Sequence, residues 1–181
     1  MIDPGYDTST DVLHCDIGLD HDIFLRTLIR ELSGTLQDVV GLDEAAGFIS
    51  IVGRAVGEQI ERDYLDGLQT DRLAPGQVTG VLLDLKRRIH GDFHVVAETK
   101  EMIVLENHIC PFGRSVDGRP SLCMMTSNVF GHIAAQAYGY VRVELQETIA
   151  EGDARCCVRL HLAPDADDVG AGIEYFRRDV N

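Results

Sequence analysis

The hydrophobic repeat of this chain changes near His90, and that change limits the folds it can adopt. From about Asp20 to Ile89, apolar residues recur every three or four positions, as on one side of an α-helix. After His90, strand patterns appear, in which apolar residues alternate with polar residues or run in short β-branched blocks, and one further helical stripe lies between them. The sequence therefore predicts an α+β fold in which N-terminal helices are followed by an antiparallel sheet covered by helices.

Three helices are predicted in the first part. Asp20 or Asp22 can accept the free amide hydrogens at the start of the first helix, and Gly41 ends it. Asp43 is the predicted cap of the second helix, and Pro75 opens the third. The second helix contains three glycines: Gly47, Gly53 and Gly57. Close packing between helices would explain them, and a binding cleft is the alternative.

Two hairpins and a fourth helix are predicted in the second part. Residues 93–97 and 102–105 form the first hairpin, joined by a short polar link. Ser121 is the predicted cap of the fourth helix. The alternation in residues 141–145 and the strand at residues 154–162 give the second hairpin.

These elements divide the chain into three regions. A flexible acidic arm is predicted over residues 1–20, a helical dimerisation and packing region over residues 21–91, and an α+β sensory core over residues 92–181. The helical region could pair two copies of the chain, so a homodimer is the expected assembly.

The charge balance excludes some partners. The chain has 181 residues, with 16 Lys and Arg against 30 Asp and Glu, which gives a net charge of −14. Such a balance disfavours binding to nucleic acid and to anionic membranes. A basic run, Lys86-Arg87-Arg88, is interpreted as a favourable interaction with the dipole of the third helix. No apolar run approaches the roughly 20 residues of a spanning helix, and the first ten residues lack the pattern of a signal peptide. We therefore expect a cytoplasmic protein that binds neither nucleic acid nor a membrane.

Five cysteines are the main candidates for chemistry: Cys15, Cys110, Cys123, Cys156 and Cys157. In a reducing compartment they are expected as thiols, metal ligands or redox groups. Strand alternation places Cys156 on the core side and Cys157 on the solvent side. Cys15 lies in the predicted arm and is expected to be incidental. Three cysteines therefore remain as a candidate set.

Cys110, Cys123 and Cys156 converge if the first hairpin, its following loop and the fourth helix pack over the second hairpin. Three thiolates with His108, or with a carboxylate such as Glu106, would satisfy a tetrahedral zinc ion. Three thiolates with an exchangeable fourth ligand would suit an iron–sulfur cluster. Two alternatives remain open: unligated thiols that line a core or pocket, and thiols that sense redox state.

The same stretch carries a resemblance to a known family. It contains Asn-x-x-Cys-Pro-Phe at residues 107–112, Cys123 at the head of a helix, and Glu-Gly-Asp-x-x-Cys at residues 151–156. This pattern resembles the vinyl-reductase-type small-molecule-binding domain, and more particularly its relative in bacterial and archaeal signalling proteins, the methanogen output domain. The resemblance implies an α+β sensory fold, commonly dimeric, with a cavity between sheet and helices. By resemblance to related regulators that hold an iron–sulfur cluster, Cys110, Cys123 and Cys156 are candidate ligands. This chain lacks the winged-helix DNA-binding segment of those regulators.

Two hypotheses of function follow. The first is a cytoplasmic signal-sensing or regulatory domain that binds a small apolar ligand or cofactor and signals through a dimer or a partner protein. Its cavity is predicted to be lined by four apolar residues: Phe112, Met125, Val129 and Ile133. The second is a redox-dependent or metal-dependent regulator in which the three cysteines hold zinc or an iron–sulfur cluster. An enzyme is less favoured, because no nucleophile elbow or nucleotide-binding loop is present and no catalytic residue is assigned.

Overall fold

The computed structural model describes residues 16–164 and 170–178. Most of the predicted arm over residues 1–20 lies outside these residues. Within them the helices are α1 (His21–Val40), α2 (Leu42–Leu68), α3 (Pro75–Arg88) and α4 (Pro120–Tyr138). The strands are β1 (His94–Glu98), β2 (Met102–Asn107), β3 (Tyr140–Glu147), β4 (Cys156–His161) and β5 (Ile173–Phe176). Two short 3-10 helices span Gly113–Val116 and Ile149–Glu151. The predicted α+β class is confirmed.

The strands form one antiparallel sheet in the order β1-β2-β4-β3-β5. Both predicted hairpins are present, as β1–β2 and as β3–β4. The two hairpins join through β2 and β4, where Glu106 is opposite Cys157 and Asn107 is opposite Cys156. The sequence did not predict β5, because its four residues are too few to show an alternation.

The helix ends confirm some predicted caps and correct others. The Asp20 side chain accepts a hydrogen bond of 2.7 Å from the Ile23 amide, so this cap is confirmed. Gly41 ends α1 with a positive φ of 85° and also begins α2. Asp43 therefore lies inside the first turn of α2 and does not cap it. The predicted cap at Ser121 is also wrong, because Pro120 already occupies the first turn and Ser121 follows it inside the helix.

The main core lies between the sheet and the helices α3 and α4. Phe130 and Ile133 of α4 are fully buried, together with Leu82 of α3 and Ile103 and Leu160 of the sheet. Helix α2 packs along the other side of α4. The order of layers is therefore α2, then α4, then the sheet.

Helix α1 leaves its apolar stripe largely uncovered. Leu25, Leu28, Ile29 and Leu32 are between 37% and 64% exposed in the single chain. The helix contacts α2, α4 and the 3-10 helix Gly113–Val116, but these contacts do not bury the stripe. The predicted dimerisation role of this region stays a prediction.

Two of the three glycines of α2 face α4 at close range. A Cβ atom on Gly53 would lie 2.7 Å from Asn128 Cβ, and one on Gly57 would lie 3.2 Å from His132 Cβ. A Cβ atom on Gly47 would have no such neighbour within 4 Å. The contacts thus favour close helix packing at Gly53 and Gly57, whereas Gly47 has no such constraint.

We expect Gly53→Ala to lower the free energy of unfolding by about 1–3 kcal/mol, because the added methyl group forces α2 away from Asn128. The matched control is Gly47→Ala on the same helix, which should raise the free energy of unfolding by up to about 1 kcal/mol through helix propensity. Urea unfolding followed by circular dichroism measures both. Equal effects of the two substitutions would contradict the packing explanation.

Candidate functional site

A cavity of about 40 Å³ lies between the sheet, α3, α4 and the loop after β2. Its wall includes Cys110, Cys123 and Cys156, the three cysteines that the sequence singled out. Lys86 also lines it, together with Phe112 and other apolar side chains. We call this space the cysteine cavity. The structure therefore brings together three residues that are far apart in the sequence.

Cys110 lies on a loop whose start is fixed by hydrogen bonds to the Asp92 and Asn107 side chains. The Asp92 carboxylate accepts bonds of 2.9 Å from the amides of both His108 and Ile109. The Asp92 amide in turn donates to the Asn107 side chain at 3.1 Å, and Asn107 is only 1% exposed. These bonds turn the chain out of β2 and hold Cys110 against the cavity.

The other two cysteines lie on regular elements. Cys123 is in the first turn of α4, and Cys156 begins β4. The Ile149 amide donates to the Cys156 sulfur at 3.5 Å. Behind the cavity, a small hydrophobic cluster separate from the main core is built on Val116, Leu122 and Ala150. This cluster closes the cavity on the side away from the main core.

Lys86 is a buried cation in the cavity wall. Its side chain is 6% exposed, and its Nζ donates a hydrogen bond of 2.8 Å to the Thr126 hydroxyl. The ammonium group also lies over the rings of Phe93 and Phe130, 5.5 and 5.1 Å from their centroids. Burial lowers the pKa of Lys86 to about 8, and the nearby Cys110 and the other two cysteines oppose this shift.

The interpretation of Lys86 as a residue that only complements the helix dipole is therefore corrected. Arg87 and Arg88 turn outward and pair with Asp84, whereas Lys86 turns inward. The sequence contained a sign of this inward position, because Lys86 lies four residues after Leu82 and so on the apolar side of α3.

The cysteine thiols are weak acids in this environment. Burial raises the pKa of Cys110, and it raises the pKa of Cys123 to about 12. The proximity of Cys156 raises both pKa values further, and Cys110 also raises that of Cys123. As free thiols these two groups stay protonated at neutral pH and are poor nucleophiles. A bound metal ion would have to displace their protons, and it would supply the positive charge that stabilises the thiolates.

The spacing of the sulfurs bears on which metal centre they fit. Among the described residues, one set of three His, Cys, Asp or Glu side chains has all its ligand atoms within 4.8 Å of one another, and it is His94, Glu106 and His108. The three cysteine sulfurs do not form such a set. A zinc ion about 2.3 Å from each sulfur requires sulfurs roughly 3.8 Å apart, whereas a multi-iron cluster holds its thiolates more widely.

Several predicted site residues lie elsewhere. Of the four predicted cavity residues, Phe112 lines the cysteine cavity. Val129 and Ile133 belong to the main core and Met125 packs against it, so their role in ligand binding stays a prediction. His108 is outside the cavity wall, beside His94.

Cys157 occupies the opposite face of β4 from Cys156, as predicted, but it is not exposed to solvent. Its side chain is 6% exposed, and its thiol donates to the side-chain amide oxygen of Gln146 at 3.5 Å. The charged groups of Glu106, Glu147 and Arg159 lie close to it. The expectation of a solvent-side cysteine is therefore corrected.

No helix among residues 16–164 and 170–178 is both long and apolar enough to cross a membrane.

No curated protein matches the chain. A solved structure of a trafficking protein particle complex subunit 3 from Naegleria fowleri, covalently bound to palmitic acid, is similar with a TM-score of 0.52 and 12% identity. The alignment covers 86% of this chain and 99% of that one, and at this identity it shows a shared fold. Residues 28–161 match the family model of methanogen output domain 1. That match covers well over half of the sequence, so the chain belongs to the methanogen output domain 1 family.

Proposed function

We propose that this output domain is a regulatory module that responds to a thiolate-bound metal cofactor, held by Cys110, Cys123 and Cys156 beside Lys86. The observation that carries the proposal is the position of the buried Lys86 ammonium in the wall shared by the three cysteines. An iron–sulfur cluster is the favoured cofactor, and zinc is the alternative.

Charge balance supports a thiolate centre. A buried cation is costly unless an opposite charge accompanies it. Neutral thiols provide no such charge, and Thr126 provides only a dipole. Three thiolates on a zinc ion or on a four-iron cluster in its 2+ state carry a net charge of −1. Protonated Lys86 balances that charge inside the cavity.

The donor set also favours a cluster over a single zinc ion. The sulfur spacing is wider than a zinc ion needs, and Asn107 and Thr126 are the kind of polar neighbours that can donate hydrogen bonds to cluster sulfurs. Among the residues that the structure describes, no fourth cysteine lines the cavity. A fourth position open to an exchangeable ligand is a feature that suits a sensor.

A contact route from the cavity to α1 supports a regulatory role. Arg30 of α1 donates to the backbone carbonyls of Ser115 and Asp117, which lie in the loop between Cys110 and Cys123. Gain or loss of the cofactor would change the conformations available to this loop and so shift the position of α1. The exposed apolar stripe of α1 supports a homodimer or a protein partner as the recipient of the signal.

The test is anaerobic purification, followed by reconstitution with iron and sulfide, with iron analysis and an absorption spectrum. We expect a coloured protein, and we expect Cys110→Ser, Cys123→Ser and Cys156→Ser each to lower bound iron at least about tenfold, because each removes a ligand. Cys157→Ser is the matched control and should retain the cofactor, since its thiol lies on the opposite face of β4. A colourless, metal-free protein with three free thiols after reconstitution contradicts the proposal.

A second candidate is a hydrophobic ligand or acyl chain at the same cysteines. The palmitate-bound protein of similar fold and the apolar cavity wall support it. The present cavity of about 40 Å³ is far smaller than the roughly 300–1,000 Å³ of typical ligand pockets, so such binding requires the wall to open. Mass spectrometry of the purified chain distinguishes the two: an added acyl mass that hydroxylamine removes favours this candidate.

A further inference from the structure

A second set of potential metal ligands lies outside the cysteine cavity, on the edge of the sheet. His94 of β1 is directly opposite Glu106 of β2, and His108 follows two residues later. A nitrogen of each imidazole and an oxygen of the carboxylate all lie within 4.8 Å of one another. We call these three residues the His-Glu-His cluster.

The cluster is held in place by its backbone. His94 and Glu106 are fixed by strand pairing, and the His108 amide is bonded to the Asp92 carboxylate at 2.9 Å. The two imidazole rings are nearly parallel, with an interplanar angle of 13° and centroids 5.9 Å apart. Only side-chain rotations are needed to bring the three ligand atoms to the roughly 3.4 Å spacing that a tetrahedral metal ion requires.

The environment of Glu106 leaves one carboxylate oxygen available. Arg155 Nη1 lies 3.2 Å from Glu106 Oε1, and Arg155 also bonds Glu147 at 2.8 Å. Arg155 thus orients the carboxylate through one oxygen, and the other remains for a metal ion. Because His94 and His108 are exposed, an ion can reach the cluster from solvent without any opening of the fold.

The geometry points to a surface site for a divalent transition-metal ion at His94, Glu106 and His108, with Zn²⁺ as the fitting ion. Two imidazoles and one carboxylate form a donor set typical of zinc sites that keep a position open to water. The site uses none of the three cavity cysteines, so it is independent of the proposed cofactor. It adds a reversible metal-binding function next to the loop that carries Cys110.

Cobalt is the probe that separates this site from the cysteines, because thiolate ligation gives intense charge-transfer bands that nitrogen and oxygen ligation lacks. The metal-free chain is titrated with Co²⁺, and zinc binding is measured by calorimetry. We expect visible cobalt bands of the nitrogen–oxygen type, whether or not thiolate bands accompany them, and displacement of that cobalt by Zn²⁺. These bands should persist in the Cys123→Ser variant, because Cys123 lines the cysteine cavity and is not part of the His-Glu-His cluster.

The variant His94→Ala/His108→Ala should lower the affinity of this nitrogen–oxygen site at least about tenfold, since even outer-shell partners of metal sites contribute 10–100-fold. Glu106→Gln is a second variant with less risk to the fold. His161→Ala is the matched control, because His161 pairs with Glu144 on the same sheet and is not in the cluster. The proposal is overturned if the double variant keeps the site, if every cobalt band is of thiolate type, or if the wild type binds no cobalt.

Discussion

Lys86→Met is expected to raise the free energy of unfolding of the metal-free protein by about 1–3 kcal/mol at pH 7. Burial lowers the pKa of Lys86 from 10.5 to about 8, so its charge opposes folding at neutral pH. A pKa shift of that size corresponds to a free-energy penalty of about 3 kcal/mol for the buried charge. The substitution also removes the hydrogen bond to Thr126 and the contact with the two rings, so the net gain in stability is smaller. Methionine has a similar length and no charge, so it removes the penalty of burying the ammonium group and keeps most of the packing.

The pH dependence of stability checks the cause. Between pH 8 and pH 10.5, Lys86 is mostly protonated in the unfolded chain and mostly deprotonated in the folded chain. The unfolded state therefore binds more protons, and the free energy of unfolding rises with pH. From pH 7 to pH 9 the expected contribution of Lys86 to this rise is about 1 kcal/mol. The raised pKa values of Cys110, Cys123 and Cys157 act in the opposite direction as the pH approaches 9, because the unfolded thiols ionise near pH 9. Lys86→Met keeps these thiols and lacks the Lys86 contribution, so its change in the free energy of unfolding from pH 7 to pH 9 should be about 1 kcal/mol lower than that of the wild type.

The same substitution should weaken retention of the proposed cofactor, since it removes the cation that balances the thiolate centre. We therefore expect Lys86→Met to be more stable without metal and to lose bound iron faster than the wild type. Urea unfolding of metal-free protein and the rate of iron release to a chelator measure the two effects. A variant that is less stable without metal and keeps the pH-dependent rise contradicts the burial argument.

The order of helices and strands could be predicted from the sequence because hydrophobic periodicity is a local property. The change of period near His90 separates the N-terminal helices from the sheet, and the alternation in β3 identifies its hairpin. The set of three cysteines also followed from local reasoning, because strand alternation separated Cys156 from Cys157 and the structure places the former in the cavity wall. The burial of Cys157 depends on side chains from other strands, which alternation alone does not describe.

The parts that could not be predicted depend on contacts between distant segments. The opposition of His94 and Glu106 follows from the register of β1 against β2, which includes a bulge. The buried position of Lys86 depends on how α3 rotates against α4. The packing of Val129 and Ile133 into the main core likewise depends on how α4 rotates against the sheet, and their role in ligand binding stays a prediction.

Phe130→Ala should be among the most destabilising substitutions in the chain. The ring is fully buried, lies edge-to-face with Phe93 at 5.6 Å between centroids, and supports the Lys86 ammonium at 5.1 Å. Loss of a buried phenylalanine typically costs 3–5 kcal/mol. The space left beside a buried cation is polar enough to admit water, unlike an apolar void.

Water beside the ammonium should return the pKa of Lys86 toward its ordinary value, so Phe130→Ala should also remove the rise in stability from pH 7 to pH 9. The matched control is Leu73→Ala, which empties space in the same core near the start of α3, whereas Lys86 is near its end. That control should cost about 2–5 kcal/mol and keep the rise. Urea unfolding at the two pH values measures both variants. If both keep the rise or both lose it, Phe130 does not shield the cation, and the low pKa of Lys86 must arise from the cavity as a whole.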